Sequence, residues 1–169
     1  RSNLPYTRIC SPYLYEGRVQ KALLMFKRER YQSFAKVFAV HMLAVLRHDC
    51  DQVEFDGVVS VPPRLRRMRK EGYDQAAVLA KAVAKRLDVP FLSAVMRQKE
   101  MRQKQSALSE SERFRNAKGN YLAVKPKAVA GKCILLVDDI CTTGATLQEC
   151  AGVLKAAGAA AVYCATAAT

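Results

Sequence analysis

Residues 133–147 read CILLVDDICTTGATL, and this stretch combines three features that decide the fold. The apolar run from Ile134 to Val137 is typical of a strand that is buried on both faces of a parallel sheet. Two acids, Asp138 and Asp139, follow directly, and the turn Thr142–Thr146 begins two residues later. Because ligands of parallel sheets bind at the carboxyl ends of the strands, the stretch predicts a binding site at this edge.

The two acids and the turn have opposite polarity. Adjacent carboxylates repel each other and lose solvation at the end of a buried strand, so they need a partner. A ribose diol is a good partner, either directly or through a metal ion. The turn opens a helix, whose unpaired backbone N–H groups and dipole attract an anion. These features predict a ribose 5-phosphate pocket whose phosphate is bound by Thr142, Thr143, Gly144, Ala145 and Thr146.

A structural alternative is that Asp138 and Asp139 only end a strand and that Thr143 only caps a helix. Each feature taken alone favours that alternative. The chain has no Gly-Lys-Ser/Thr phosphate loop and no Gly-x-Gly-x-x-Gly sequence, so these two kinds of nucleotide-binding motif are excluded.

The rest of the chain alternates between helical and strand patterns. The predicted helices cover residues 16–29, 32–48, 73–87 and 144–157, and the predicted strands cover 57–61, 90–96, 121–124, 133–137 and 161–165. A length of 169 residues suits one compact domain. Such alternation predicts an α/β fold with a mostly parallel sheet covered by helices on both faces.

Cysteine spacing and hydropathy bear on the compartment. None of the six cysteines forms a Cys-x-x-Cys pair, which speaks against a zinc site and favours buried free thiols in a reducing, cytoplasmic compartment. The apolar run at residues 37–46 contains a histidine and is far shorter than the roughly 20 residues of a membrane span, so no membrane insertion is expected.

The net charge of +13 comes from three basic segments. Residues 18–36 contribute +5, and residues 64–71 and 97–118 contribute +4 each. Such segments either lie on solvated faces or meet a polyanion, which would be a phosphorylated ligand or nucleic acid.

Three stretches of the sequence resemble a known family. The pattern at 133–147 resembles the phosphoribosyl pyrophosphate (PRPP) signature of the type I phosphoribosyltransferases. VPPRLRRMRKEGYDQA at 61–76 and QSALSESERFRNAKGNY at 105–121 resemble the competence protein F (ComF) branch of that family in bacteria. The resemblance implies the type I phosphoribosyltransferase fold, with an N-terminal helical hood at residues 1–50 on a core at residues 51–169.

The resemblance also implies an activity, which is transfer of the phosphoribosyl group of PRPP to an unidentified acceptor with release of pyrophosphate. It implies catalytic roles for Asp138, Asp139 and Arg64, with Mg²⁺ held by PRPP and the two acids. The implied pyrophosphate loop is Val61, Pro62, Pro63 and Arg64. The implied flexible loop over PRPP contains Arg97, Lys99, Arg102, Lys104 and Gln105.

The basic segment at 18–36 has no role in this scheme, so a second hypothesis stays open. In it the chain is a DNA-uptake protein that works with the competence machinery and binds single-stranded DNA. Lys21, Lys27, Arg28 and Arg30 would contact phosphates, and Tyr31 and Phe34 would offer surfaces for base stacking. The oligomeric state is open in both hypotheses.

Overall fold

The computed structural model describes residues 4–29, 32–63, 73–93, 96–98 and 119–169. Several predicted site residues lie outside this part of the chain: Arg30, Tyr31, Arg64, Lys99, Arg102, Lys104 and Gln105. The side chains of Arg28 and Arg97 also lie outside it.

In the described residues, six strands form two sheets. They are β1 (Ile9–Cys10), β2 (Gly57–Ser60), β3 (Met96–Gln98), β4 (Tyr121–Ala123), β5 (Cys133–Ile140) and β6 (Ala161–Ala168). The main sheet has the order β1-β6-β5-β2, and all of its neighbouring strands are parallel. Strands β3 and β4 form a separate antiparallel pair. The main sheet confirms the predicted parallel architecture.

Four α-helices cover the main sheet. They are α1 (Gly17–Glu29), α2 (Gln32–Asp49), α3 (Gln75–Leu87) and α4 (Ala145–Ala156), and each lies where the sequence pattern predicts a helix. Helix α3 begins at Asp74, whose carboxylate accepts a hydrogen bond of 2.9 Å from the Ala77 backbone N–H. Such a cap satisfies one of the donors that a helix start leaves unpaired.

Strand β5 divides its side chains between two hydrophobic cores. Leu135 and Val137 pack with α1, α2 and α3, whereas Ile134 and Leu136 pack with α4. This alternation follows from the two-residue period of a strand. It explains why the run 134–137 is apolar throughout, since helices cover both faces of the sheet.

The N-terminal residues share the core on the first of these faces. Phe26 of α1 and Met42 of α2 belong to the same buried cluster as Val58 and Leu135. Strand β1 joins the main sheet by pairing Ile9 with Cys164. Described residues of the predicted segments 1–50 and 51–169 therefore share one hydrophobic core.

Three strands differ from the predictions. Strand β5 runs on through Asp138 and Asp139 to Ile140, and β6 ends at Ala168 instead of residue 165. The described residues do not bear out one strand at 90–96: Phe91 forms an isolated bridge with Val58, Ser93 lies in a turn and β3 begins at Met96, while residues 94 and 95 lie outside the described ranges. Pro90 has no N–H to donate, and its carbonyl accepts the bond from Val58 N–H instead.

The six cysteines are free thiols, and five of them are buried. Cys133, at the start of β5, is partly exposed. The prediction that cysteines here serve as small apolar residues is confirmed for those five. Within the described ranges, every helix is too short or too polar to cross a lipid bilayer.

Candidate functional site

An open pocket with a cavity volume of about 130 Å³ lies at the carboxyl ends of β2 and β5. Its lining residues are Val61, Pro62, Pro63, Asp74, Gln75, Ala76, Tyr121, Asp138, Asp139 and Thr146. A second, smaller pocket follows the chain from Asp138 through the turn to Leu147. Asp138 and Thr146 line both pockets, so the two are adjoining parts of one site.

The structure brings the predicted acid pair together with part of the predicted pyrophosphate loop. Val61, Pro62 and Pro63 follow β2 and face Asp138 and Asp139 across the pocket. The loop is held against β5 by a hydrogen bond of 2.9 Å from the Val61 N–H to the Val137 carbonyl.

Asp138 is partly buried on β5, in register with Thr166 of β6. Burial raises the pKa of its carboxyl to about 8, and the neighbouring charge of Asp139 adds to this shift. The Asp139 backbone N–H donates a 2.8 Å hydrogen bond to Asp138 Oδ1. The raised pKa favours the protonated form of the Asp138 carboxyl, which can donate a hydrogen bond to a ligand.

Asp139 has a different environment. Its Oδ2 lies 2.9 Å from the ammonium nitrogen of Lys27, and the two side chains are only 12 % and 16 % exposed. Lys27 comes from α1, so this ion pair connects the N-terminal helices with the end of β5. The pair of acids thus combines a protonated carboxyl with a carboxylate that has its own cation.

Two further contacts fix this end of α1. The amide nitrogen of Gln75 donates a hydrogen bond of 3.3 Å to the Lys27 carbonyl oxygen. The fully buried ring of Phe26 meets Tyr73 edge to face, with a centroid distance of 6.0 Å. As a result the end of α1 is fixed beside two residues of the pocket lining, Gln75 and Asp139.

A third acid, Asp74, also lines the pocket. Burial raises the pKa of its carboxyl, while the hydrogen bond from the Ala77 N–H acts in the opposite direction. Within the described ranges, no three or more His, Cys, Asp or Glu side chains are grouped so that they could hold a metal ion by themselves.

The turn at 142–146 has the geometry of an anion-binding helix start. Gly144 adopts a left-handed conformation with φ of 75° and forms the N-cap of α4. Its carbonyl accepts a hydrogen bond of 2.8 Å from Gln148, and the Thr143 hydroxyl accepts one of 3.4 Å from Ala145. Thr142 and Thr143 are exposed, which leaves their hydroxyl groups accessible to a ligand.

Tyr121 of β4 closes another side of the pocket. The residue before it, Asn120, is tied to α4, because both its backbone N–H and its side-chain amide donate to the Glu149 carboxylate. Tyr121, Asp74 and Gln75 belong to the stretches 61–76 and 105–121 that resemble the known family, but no site role was predicted for them. Their positions in these stretches were the only sequence feature that could have indicated such a role.

Lys27 and Phe34 do not lie where the DNA hypothesis needs them. Lys27 was predicted to contact DNA phosphates, but its ammonium is paired with Asp139 and mostly buried. Phe34 stacks on Phe38 at a centroid distance of 6.4 Å and packs against the core beneath α2. The position of Phe34 favours a core ring over a surface for base stacking.

Comparisons with known proteins identify the family of the chain. Residues 74–169, more than half of the chain, match the phosphoribosyl transferase domain family. Competence protein F from Haemophilus influenzae is 32% identical over 104 residues, which cover 61% of this chain and 45% of that protein. DNA utilization protein YhgH from Escherichia coli K12 is 35% identical over 107 residues, covering 63% of this chain and 46% of that protein. The chain thus spans about half the length of these curated relatives.

Two solved structures share the fold. One is described as the allosteric regulatory enzyme of purine biosynthesis, with a TM-score of 0.54 and 23% identity, covering 78% of this chain and 25% of that one. The other is the glutamine PRPP amidotransferase from B. subtilis complexed with ADP and GMP, with a TM-score of 0.52 and 22% identity, covering 78% and 26%. At such identity these likenesses bear on the fold alone, and they confirm the type I architecture. The chain therefore belongs to the phosphoribosyl transferase domain family, in the branch of competence protein F and the YhgH proteins.

Proposed function

We propose that this protein binds PRPP in the two adjoining pockets and transfers its phosphoribosyl group to an acceptor, with release of pyrophosphate. One observation carries the proposal: Asp138 and Thr146 line both pockets, so an acid pair and a helix start face a single ligand. A ribose that carries a phosphate on its 5-oxygen has groups of the matching kinds. The resemblance to the PRPP signature supports the same assignment.

The phosphate end of the ligand would lie against residues 142–146. The first N–H groups of α4 have no acceptor within the helix, and the helix dipole attracts negative charge. The positive φ of Gly144 turns the backbone sharply at this point, and the Thr142 and Thr143 hydroxyls can donate to phosphate oxygens. This arrangement supports a phosphate site without a lysine.

The ribose end would lie against the acids. A protonated Asp138 can donate to one ribose hydroxyl, and the Asp139 carboxylate can accept from the other. Holding both hydroxyls orients the anomeric carbon towards the acceptor, and orientation of this kind supplies a large part of many rate enhancements. The reaction is substitution at that carbon with inversion, through a transition state in which the ring carries positive charge.

The site residues also fit the Mg²⁺ ion that the family implies. Mg²⁺ prefers oxygen ligands and usually binds through one or two carboxylates together with substrate phosphates. The Asp139 carboxylate offers such oxygens in the pocket, Asp138 would do so once the charge of the ion displaced its proton, and a larger protein cage is not required. When bound, the ion would neutralise charge that builds up on the departing pyrophosphate.

Calorimetric titration with PRPP and Mg²⁺ tests the binding step, with ribose 5-phosphate and pyrophosphate as separate probes. We expect PRPP to bind and both fragments to bind more weakly. The matched control is the double variant Asp138→Asn and Asp139→Asn, which should keep the fold and lose affinity. A screen of acceptors for pyrophosphate release then tests turnover. Absence of PRPP binding by the wild-type protein would refute the proposal.

A second function, the binding of single-stranded DNA, has separate support. The net charge is +13, and the curated relatives bear the names competence protein and DNA utilization protein. Anisotropy of a labelled oligonucleotide at two salt concentrations tests it, because phosphate contacts weaken steeply with salt. Binding that is undetectable even at low salt would leave the transferase as the better account.

A further inference from the structure

Lys27 is a surface helix residue by sequence, but its ammonium lies beside Asp139, a residue that lines the proposed ligand site. The charged atoms of Lys27 and Asp139 are 2.9 Å apart, and the Lys27 side chain is 16 % exposed. Lysine is rarely buried to this degree unless it is paired. The position thus calls for a reason beyond solubility.

The electrostatics of the pocket supply one. Three carboxyl groups, those of Asp74, Asp138 and Asp139, line a pocket that is proposed to take a ligand with several phosphate charges. Like charges brought this close in a poorly solvated site repel strongly. A cation next to Asp139 reduces that repulsion, and it acts on Asp138 as well, since its charge lowers the pKa of that carboxyl.

Two further contacts fix the end of α1 that carries Lys27. The Gln75 amide donates to the Lys27 carbonyl oxygen over 3.3 Å, and the neighbouring Phe26 is fully buried. A buried ion pair contributes little net stability over an apolar pair, because desolvation offsets the attraction. An ion pair between the Lys27 ammonium and a pocket-lining carboxylate, at a helix end that is itself fixed, therefore indicates a role towards the ligand.

We propose that Lys27 is a positioning residue of the PRPP site, where its ammonium is a built-in counter-cation that holds the Asp139 carboxylate for the ribose hydroxyls and offsets its repulsion of the ligand phosphates. The inference rests on the proposed PRPP function. It connects α1 to the ligand site through Asp139, and it gives part of the basic segment 18–36 a small-molecule role.

Calorimetric titration of five variants with PRPP and Mg²⁺ tests this role. Lys27→Met should weaken PRPP binding about tenfold or more, since it leaves the mostly buried Asp139 unpaired. Lys27→Arg should recover most of the affinity. Lys21→Met, at an exposed position of the same helix, is the matched control and should bind as the wild type does. The last two variants are Asp139→Asn and its combination with Lys27→Met. In the Asp139→Asn background, Lys27→Met should cost little more.

A second readout separates the counter-cation role from a merely structural one. Raising the Mg²⁺ concentration should restore part of the PRPP affinity of Lys27→Met, because a divalent cation can take the place of the ammonium beside the acids. NaCl at matched ionic strength should not. Thermal unfolding of each variant, recorded in parallel, shows which losses follow from altered folding, and the arginine and double variants decide the matter if Lys27→Met folds poorly.

Three outcomes would overturn the inference. Equal PRPP affinity of Lys27→Met and Lys21→Met would show that the ammonium has no role in binding. An equally large effect of Lys27→Met with and without Asp139 would show that it does not act through that carboxylate. Failure of the wild-type protein to bind PRPP at all would remove the proposed function and this inference with it, and that result differs from the first two.

Discussion

Gln75 and Lys27 are joined by a hydrogen bond in which the amide nitrogen of Gln75 donates to the Lys27 carbonyl oxygen over 3.3 Å. Lys27 lies in the last turn of α1, where carbonyl groups have no partner within the helix. Gln75 is only 4 % exposed and begins α3. One buried amide therefore satisfies the end of one helix from the start of another, next to the pocket.

Replacing this amide should destabilise the fold. Gln75→Leu keeps the approximate volume but leaves the Lys27 carbonyl without its donor, and we expect a loss of about 1–2 kcal/mol in the free energy of unfolding. Urea denaturation measures it. Gln148→Leu, at an exposed position of α4, is the control and should stay within about 0.5 kcal/mol of the wild type. Equal effects of the two changes would mean that the bond contributes nothing.

The two glycines of the α4 region should respond in opposite ways to alanine. Gly144 has φ of 75°, whereas Gly152 lies within the helix and has open space around an added Cβ. Gly144→Ala should cost about 1–2 kcal/mol of stability through backbone strain and should weaken phosphate binding at residues 142–146. Gly152→Ala should add about 0.5–1 kcal/mol, since alanine favours helix.

Urea denaturation of both variants checks the stabilities, and calorimetric titration with PRPP checks the site. The added Cβ at position 144 would meet Tyr6 and Cys141 only at ordinary contact distances, 3.8 and 3.9 Å. Strain at φ is therefore the expected cause, and an unstrained Gly144→Ala protein with full PRPP affinity would contradict the assignment of the turn.

Sequence reasoning worked best where a pattern is local. The apolar run 134–137 and the helical spacing in α1 to α4 predict their elements, because strand and helix periods can be recognised within a few residues. Strand β1 was missed, since two residues carry no period and Ile9–Cys10 is a strand only because β6 lies beside it. The end of β6 was missed because its last residues, 165–168, are alanine and threonine and lack an apolar alternation.

The residues of the candidate site also differ in whether a local pattern could predict them. Asp138, Asp139 and the glycine turn lie within one continuous stretch, so the sequence alone could indicate them. Lys27 could not be found in this manner, because its ion pair with Asp139 depends on how α1 docks on the end of β5. A lysine in a basic helix carries no local sign that one charge points inward, and so Lys27 was grouped with its neighbours.

Asp138 should give the protein a specific pH dependence of stability. Its pKa is about 8 in the folded protein and near 3.9 in an unfolded chain. Between these values the folded state holds one proton more than the unfolded state, so stability should fall as pH rises, by up to about 1.4 kcal/mol per unit, and level off above about pH 8.

Urea denaturation of the wild type and of Asp138→Asn from pH 5 to 9, without divalent cations, tests this effect. The asparagine cannot ionise, so the difference between the two curves isolates Asp138. We expect the variant to gain stability relative to the wild type as pH rises. Parallel curves would mean that Asp138 ionises at its usual pH in the folded protein.

Thiol labelling should distinguish Cys133 from the other cysteines. Burial raises the pKa of Cys10 and Cys164 to about 12, and Cys150 is shifted in the same direction. Cys133 is partly exposed, although its pKa is raised too. Limiting iodoacetamide followed by mass spectrometry should find Cys133 modified first and the buried thiols only after denaturation. Cys133→Ser should abolish the fast reaction, whereas fast labelling of Cys10 would indicate opening near β1.

The DNA hypothesis is best tested without Lys27. A triple change of Lys27, Arg28 and Arg30 to alanine would alter the ion pair at Asp139 and so mix two effects. The double variant Arg28→Ala and Arg30→Ala leaves that pair intact. If both arginines contact phosphates of a single strand, it should bind the oligonucleotide more weakly and reduce the slope of log affinity against log salt by about 1.4.

PRPP affinity separates the two roles of this basic segment. We expect the arginine variant to bind PRPP as the wild type does, and Lys27→Met to lose PRPP affinity while keeping most of its salt-dependent DNA binding. Anisotropy at a series of salt concentrations and calorimetry on the same preparations give both quantities. If the arginine variant keeps the wild-type DNA affinity and salt slope, Arg28 and Arg30 lie on a solvated face, because loss of a bound phosphate contact must release fewer counterions. If the single change Lys27→Met instead lowers the salt slope of DNA affinity, the Lys27 ammonium contacts nucleic acid. Its ion pair with Asp139 then breaks when DNA binds.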